Sequence, residues 1–112
     1  MAITFTYPAT VAKVVDGDTL DVLLDLGFGI NYKIRVRLAG INAPEKSTPE
    51  GTAASVYLYD QLPAGLPVVV TTHKAKDMYG RYIADITKTV LDEQININKL
   101  MVSSGNAIEH KY

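Results

Sequence analysis

Four short segments of this sequence combine oxygen ligands for a cation with side chains that bind phosphate. Carboxylate and amide oxygens are the ligands that Ca²⁺ and Mg²⁺ prefer. Arginine grips phosphate with a planar fork of N–H donors, and a nearby carboxylate can activate water. The segments are Asp16-Gly17-Asp18-Thr19, the residues Arg35 and Arg37, the loop from Asn42 to Glu45, and Tyr79-Gly80-Arg81. Together they supply what a metal-assisted attack on a phosphodiester would need.

Each segment also has an ordinary structural interpretation. Asp and Gly are typical of hairpin turns, and arginines on a strand usually form a solvated face. The residues around Ala43-Pro44 could be a loop that leads into a helix, and Arg81 could be an exposed turn residue. Taken alone, each structural interpretation is favoured; the four segments together favour the chemical one. His73 and His110 are isolated in the sequence, and we assign them no role.

The elements that must position these residues begin with three strands. β-Branched residues predict a strand over Ala9 to Val15, and alternation predicts a half-buried strand over Leu20 to Leu26. The third strand alternates most clearly, because successive side chains point to opposite sides of a sheet. One face carries Tyr32, Ile34, Val36 and Leu38, and the other carries Lys33, Arg35 and Arg37.

A helix and further strands follow. Ser47 or Thr48 can cap a helix that runs to about Gln61, with Pro49 in its first turn. Strands are predicted at Val68 to Thr72 and from Tyr82 to Ile86, and Asn96 could cap a last helix through Ser104, with Gly105 as its stop. This order predicts an α+β protein, mainly β: a small mixed barrel with helices packed on it.

Composition limits the classes of protein that this chain can be. With 112 residues, residues 1–112 are predicted to form one domain, and the absence of cysteine excludes disulfides and thiolate metal sites. The sequence shows neither a signal peptide nor a membrane span, so we expect a soluble, cytoplasmic protein without a membrane partner. The same N-terminus would remain after removal of a signal peptide. The net charge of −1 means that any attraction for phosphate must be local or supplied by a cation.

The segments in their order resemble the staphylococcal nuclease (thermonuclease) family. The resemblance rests on Pro8-Ala9-Thr10-Val11 before Asp16-Gly17-Asp18-Thr19, on Val36-Arg37-Leu38 before Gly40-Ile41-Asn42-Ala43-Pro44-Glu45, and on Asp77-Met78-Tyr79-Gly80-Arg81. It implies an OB-fold, a five-stranded barrel with two or three helices. It also implies a calcium-dependent phosphodiesterase that acts on DNA and RNA, with Ca²⁺ or another divalent cation as cofactor.

The resemblance further implies a metal site. Asp18 matches the family's calcium-binding aspartate, and Asn42 stands where the family commonly has a second aspartate. Ala43 would offer its backbone carbonyl, and Asp16 is expected to support these ligands rather than bind the ion directly. Because Asn42 removes one negative charge, calcium is expected to bind more weakly than with aspartate.

The same resemblance assigns the residues that act on the substrate. Glu45 matches the general base, and Arg37 and Arg81 match the two arginines that bind the phosphate. Tyr79 matches a tyrosine that lines the nucleotide pocket. Arg35 has no counterpart in the family pattern, and its position beside Arg37 predicts a contact with more of the nucleic-acid backbone.

Two functions therefore remain open at the level of sequence. The first is an active metal-dependent nuclease, and the second is an OB-fold module that binds nucleic acid with little or no turnover. The presence of Asp18, Arg37, Glu45 and Arg81 favours the enzyme. Met78 stands where the family can have a lysine, and secreted relatives continue beyond the position of Tyr112 into a further helix. No protein partner is indicated.

Overall fold

The computed structural model describes residues 5–76 and 80–110, with side chains throughout except at residues 74–76. Its elements in chain order are β1 (Phe5–Asp16), β2 (Thr19–Asp25), β3 (Asn31–Leu38), β4 (Ile41–Asn42), α1 (Pro49–Gln61), β5 (Pro67–Lys76), β6 (Tyr82–Val90), β7 (Glu93–Asn96), α2 (Ile97–Ser103) and β8 (Ile108–Glu109).

Five of the strands close into a barrel. The main sheet has the order β3-β2-β1-β5-β6-β7, and a parallel pairing between β3, its first strand, and β6, its fifth, closes the ring. That pairing, which we call the seam, aligns Val36, Arg37 and Leu38 with Tyr82, Ile83 and Ala84. The predicted OB-fold with a five-stranded barrel and two helices is confirmed, and β7 lies outside the closed ring as a hairpin partner of β6.

The barrel interior follows the alternation of the sequence. Leu20, Val22 and Leu24 of β2 are buried, and so are Ile34, Val36 and Leu38 of β3. Tyr32, which was predicted to share that apolar face, is 53% exposed because it lies beside the β2–β3 hairpin, at the open end of the barrel. On the other face of β3, Arg37 is buried rather than solvated.

The predicted first helix is confirmed as α1. The Thr48 side chain accepts a hydrogen bond from the Gly51 backbone N–H, and Pro49 occupies the first turn. Capping of this kind satisfies an N–H that has no partner within the helix. Gly51, Ala54 and Leu58 form the buried face of α1, and Leu62 just beyond it is buried as well.

The second helix is α2, capped by Asn96 as predicted, with Gly105 at a φ of 82° after it. Asn98 of α2 is buried and ties the helix to the barrel. Its amide nitrogen donates to the carbonyls of Ala39 and Ala84, and its amide oxygen accepts from the Ile86 N–H. None of the described helices is long and apolar enough to cross a membrane.

Three short strands were not predicted. β4 and β8 are two residues each and pair with one another, which leaves no periodicity to detect. β7 lies in the polar connection before Asn96, and a turn at Leu91 and Asp92, both with positive φ, folds it back on β6. The predicted turn from Asp77 to Arg81 lies partly outside the described residues.

Candidate active site

The β1–β2 turn is fixed by a hydrogen bond within it and by close packing of Gly17. The Asp18 N–H donates to the Asp16 Oδ1 at 3.1 Å, a local bond that favours a tight turn. Gly17 is buried between the loop after β4 and helix α1. A Cβ on Gly17 would lie 2.8 Å from the Ala43 Cβ and 2.9 Å from the Ala54 Cβ, so only glycine lets the turn approach so closely.

The Asp18 carboxylate is almost buried and connects three segments. Its Oδ1 accepts from the Thr19 hydroxyl at 3.1 Å, and its Oδ2 accepts from the Ala43 N–H at 3.0 Å. The Arg37 Nη2 lies 3.5 Å from the same Oδ2. The Asp18 carbonyl in turn accepts from the Leu38 N–H. Asp18 is therefore fixed relative to both the end of β3 and the loop after β4.

Arg37 is the centre of this network. Its Nη1 donates to the carbonyls of Leu38 at 3.1 Å and Ile41 at 2.9 Å, and its Nη2 donates to the Asn42 Oδ1 at 3.1 Å. Only 8% of the residue is exposed. These bonds orient the guanidinium before any ligand arrives, which is the preorganisation that charge stabilisation in a transition state requires.

Arg81 reaches the same place from another strand. It directly precedes β6, and its Nη1 donates to the Thr19 hydroxyl at 3.3 Å. Because the seam aligns the start of β6 with the end of β3, the two arginines arrive together although they lie far apart in the sequence.

The loop between β4 and α1 brings Glu45 and Lys46. Both residues are exposed. The Glu45 carbonyl accepts from the Thr48 N–H at 2.9 Å and from the Thr48 hydroxyl at 2.7 Å. Gly51 lies so close that a Cβ there would overlap the Glu45 carbonyl. The Lys46 ammonium donates to the Val15 carbonyl and ties the loop to β1.

These residues line one cavity of about 410 Å³. Of the predicted site residues, seven meet there, and Pro44 and Lys46 complete the lining. The seven are Asp16, Asp18, Arg37, Asn42, Ala43, Glu45 and Arg81. Sequence reasoning missed Lys46 and the contact of Thr19 with Arg81; the position of Lys46 directly after Glu45 is the one signal that could have indicated it.

Two predicted residues are not part of this lining as described. Arg35 lies farther along β3, and its Nε and Nη2 donate to the two carboxylate oxygens of Asp21 at 2.8 and 3.2 Å. Tyr79 lies outside the described residues. A larger cavity of about 530 Å³ lies between α2 and the β4–β8 pair, and it contains none of the predicted site residues.

The charges in the cavity are balanced. Three carboxylates, Asp16, Asp18 and Glu45, face three cationic side chains, Arg37, Lys46 and Arg81. Burial raises the pKa of the Asp16 carboxyl, and the neighbouring Asp18 carboxyl raises that pKa further. Two carboxylates held this close repel one another, so a bound cation would stabilise the turn.

The donor set suits a hard divalent cation. Asp16 and Asp18 offer carboxylate oxygens, Asn42 an amide oxygen and Ala43 a backbone carbonyl, and Ca²⁺ takes all three kinds. Each carboxylate oxygen that accepts one hydrogen bond keeps a second lone pair. Within the described residues, no three His, Cys, Asp or Glu side chains cluster as metal ligands. Asn42, backbone oxygens and water would therefore have to complete the shell.

The chain matches the family model described as staphylococcal nuclease homologue over residues 35–112. It belongs to this family. The match begins at β3 and so includes the arginine strand, the loop that carries Glu45, and Arg81.

Individual relatives extend the similarity of this family member across the β1–β2 turn. A micrococcal nuclease from Shigella flexneri is 35% identical over 111 residues, which is 95% of this chain and 60% of the relative. An uncharacterized endonuclease from Haemophilus influenzae is 39% identical over 101 residues, or 90% of this chain and 51% of the relative. A second uncharacterized endonuclease, from Escherichia coli O157:H7, is 34% identical over 87% of the chain and 57% of the relative. The chain thus spans between half and two thirds of the length of these relatives.

Proposed function

We propose that this staphylococcal nuclease homologue is a calcium-dependent nuclease that hydrolyses phosphodiester bonds of DNA, and of RNA. The observation that carries the proposal is the convergence of Asp18, Arg37, Glu45 and Arg81 on one cavity. The four residues come from four separate places: the β1–β2 turn, β3, the loop after β4 and the residue before β6. A fold that served only as a scaffold would have no reason to bring them together around a polar cavity.

The phosphate would bind between the two arginines. Arg37 is already oriented by the Leu38, Ile41 and Asn42 oxygens, and Arg81 is steadied by Thr19. Planar guanidinium groups fixed in this way stabilise the negative charge that grows on the phosphoryl oxygens during attack.

Glu45 would act as the general base. Its side chain is exposed at the cavity while its carbonyl is fixed by Thr48, so the carboxylate is positioned but remains open to water. It would take a proton from the attacking water as the new bond to phosphorus forms and the bond to the leaving oxygen breaks.

Asp18, Asn42 and the Ala43 carbonyl would hold the divalent cation, with Asp16 beside them. When bound, the ion supplies charge neutralisation and polarises the phosphoryl oxygen. The cavity alone has three negative and three positive groups, so a divalent cation would give it the positive charge that attracts a phosphodiester.

One observation favours a second candidate, a nucleic-acid-binding module without turnover. Asn42 lacks the charge of an aspartate, and its amide oxygen already accepts a hydrogen bond from Arg37. Both features weaken a cation site, and a site that loses its ion could still bind phosphate through the arginines.

Cleavage assays separate the two candidates. Single-stranded DNA, double-stranded DNA and RNA should each be incubated with Ca²⁺, with Mg²⁺ and with excess chelator, for the wild type and for Glu45→Gln. We expect Ca²⁺-dependent cleavage that chelator abolishes, and a rate lower by about 10²–10⁴ in Glu45→Gln. Glu50→Gln, an exposed carboxylate change in the first turn of α1, is the matched control and should cleave normally.

Absence of cleavage with every metal, combined with retained binding of labelled DNA, would overturn the nuclease in favour of the binding module. Equal rates for Glu45→Gln and the wild type would remove Glu45 from the mechanism.

A further inference from the structure

Basic side chains continue from the cavity along the outer face of β1, β2 and β3. They are Lys13 on β1 and Lys33 and Arg35 on β3, grouped around Asp21 on β2. We propose that these four residues form a basic track, in which Lys13, Lys33 and Arg35 bind the single-stranded polynucleotide that flanks the cleaved phosphodiester and Asp21 orients Arg35. The proposal deepens and rests on the nuclease function proposed above, since it names the substrate as a long strand.

The sheet register places the track directly beside the cavity. Across β2 and β3, Thr19 pairs with Arg37, Asp21 with Arg35, and Leu23 with Lys33. Paired residues in an antiparallel sheet point to the same side. These three pairs, which we call rows, therefore all lie on the outer face of the barrel. Consecutive rows lie about 7 Å apart along β3, a distance comparable to one nucleotide of an extended strand.

A β-bulge adds Lys13 to this face. Val11 is buried, and strict alternation would point Lys13 to the same interior side. The register shifts between Val11 and Lys13, and Lys13 then pairs with Asp21 and is exposed. Bulges often re-aim a side chain in this manner. The row across the three strands therefore reads Lys13, Asp21, Arg35.

The charges in this row do not cancel. Asp21 is only 6% exposed, and its carboxylate receives two hydrogen bonds from Arg35. That pairing, together with the charges of Arg35, Lys33 and Lys13, lowers the pKa of Asp21. One carboxylate among three cations leaves a local excess of positive charge on a chain whose net charge is −1.

Phosphate binding explains this excess better than stability does. Half of the Arg35 side chain is exposed, and exposed ion pairs contribute little to folding. Asp21 instead fixes the direction of the guanidinium, which still has N–H donors beyond the two that Asp21 accepts. Asp16 of the cavity lies close enough to affect Arg35, so track and cavity are electrostatically continuous.

The test compares a long and a short substrate for Lys13→Gln/Lys33→Gln, which leaves the Arg35–Asp21 pair intact. The long substrate is single-stranded oligothymidylate, and the short one is a nitrophenyl diester of thymidine. Lys33→Gln and Lys99→Gln form a matched pair of single charge changes, because Lys99 is an exposed lysine on α2.

We expect the double variant to raise KM for the long substrate by roughly threefold to tenfold. The ratio of kcat/KM for the long over the short substrate should fall accordingly. The slope of log KM against log salt should also become shallower, by about 0.7 for each phosphate of a single strand that the variant no longer neutralises. Lys99→Gln should leave both the ratio and the slope at their wild-type values.

An unchanged salt slope in the double variant, or an equal effect of Lys99→Gln, would overturn the track. If the wild type cleaves neither substrate, the nuclease proposal fails. The track is then tested separately by the salt dependence of oligothymidylate binding, measured by fluorescence anisotropy in the same variants, with the same slopes expected.

Discussion

Arg37 and Arg35 lie two residues apart on the same face of β3 and each lies beside an aspartate, yet the two side chains differ in burial and in their other hydrogen bonds. Arg37 pairs across the sheet with Thr19, and we call this pair the cavity row. Arg37 is buried there and donates to two carbonyls and to the Asn42 amide oxygen. Arg35 lies in the row of Lys13, Asp21 and Arg35, which we call the track row. Its side chain is half exposed and forms an ion pair with the carboxylate of Asp21. Ile41 and Asn42 of β4 accept hydrogen bonds from Arg37, whereas Arg35 bonds to Asp21 on the neighbouring strand. The cover by β4, more than β3 itself, makes one arginine a fixed part of the proposed reaction site and the other a partly exposed surface residue.

The largest effect should come from replacing each arginine by lysine. Arg37→Lys keeps the charge but loses the fork that joins Leu38, Ile41 and Asn42, so the cleavage rate should fall by about 10²–10³. Arg35→Lys should stay within a few fold of the wild type on the nitrophenyl diester. Steady-state kinetics of the two variants tests this contrast, and similar losses in both would abolish the distinction between the rows.

Stability should differ in the same direction. Arg37→Met leaves the nearly buried Asp18 carboxylate without its cation, and the Leu38 and Ile41 carbonyls lose their donor to an apolar side chain. The free energy of unfolding should fall by about 3–5 kcal/mol. Arg35→Met removes a guanidinium that is half in water, and although Asp21 is nearly buried, Lys13 and Lys33 still act on its charge, so the loss should be smaller, about 1–2 kcal/mol. Urea unfolding in the presence of chelator measures both. A small loss in Arg37→Met would mean that its network is dispensable for the fold.

A third change adds a carboxylate to the cavity and leaves the track as it is. Asn42→Asp adds a carboxylate beside Asp16 and Asp18, and it should tighten calcium binding by roughly tenfold. Calorimetric titration with Ca²⁺ checks this. Asn31→Asp, an exposed position at the opposite end of β3 from Arg37, is a matched control that should not change the affinity. Unchanged affinity in Asn42→Asp would exclude Asn42 as a ligand.

The smallest effect concerns pH. Hydrogen bonds from Arg35 lower the pKa of Asp21 in the folded protein below its unfolded value, so its ionised form stabilises the fold above the unfolded pKa. That contribution is lost as the pH falls through the folded pKa. The stability difference between wild type and Asp21→Asn should therefore be constant near neutrality, below about 1 kcal/mol, and disappear in acid. Urea midpoints measured across this range test it, and a difference that grew in acid would contradict it.

The strands and their faces were predictable because the side-chain period of two is a local property. The acidic turn, the arginine strand and α1 were predicted correctly from their own residues, and of the two caps proposed for α1, Ser47 and Thr48, the structure shows Thr48. The burial of Arg37 was not, since it depends on Ile41 and Asn42 folding back over β3 as part of a strand only two residues long. The outward turn of Lys13 escaped prediction for a similar reason: the bulge exists only in the pairing of β1 with β2.

The close packing of two glycines also could not be predicted from the sequence. Gly17 was expected simply as a turn residue, but its contact with Ala43 and Ala54 depends on the position of α1. Gly51 looked like an ordinary helix residue, and its approach to the Glu45 carbonyl depends on the same helix. Local propensity reports the backbone angles that a residue allows, whereas these two positions are determined by which distant segment comes near.

The seam between β3 and β6 is three residues long on each strand. It holds the two arginines of the cavity beside one another. A fluctuation that opened the barrel there would separate Arg37 from Arg81 and disassemble the proposed reaction site without global unfolding of the chain. The Ala39 N–H, which donates to the Ala84 carbonyl at 2.8 Å, lies at this junction. Its rate of hydrogen exchange would report how often the seam opens.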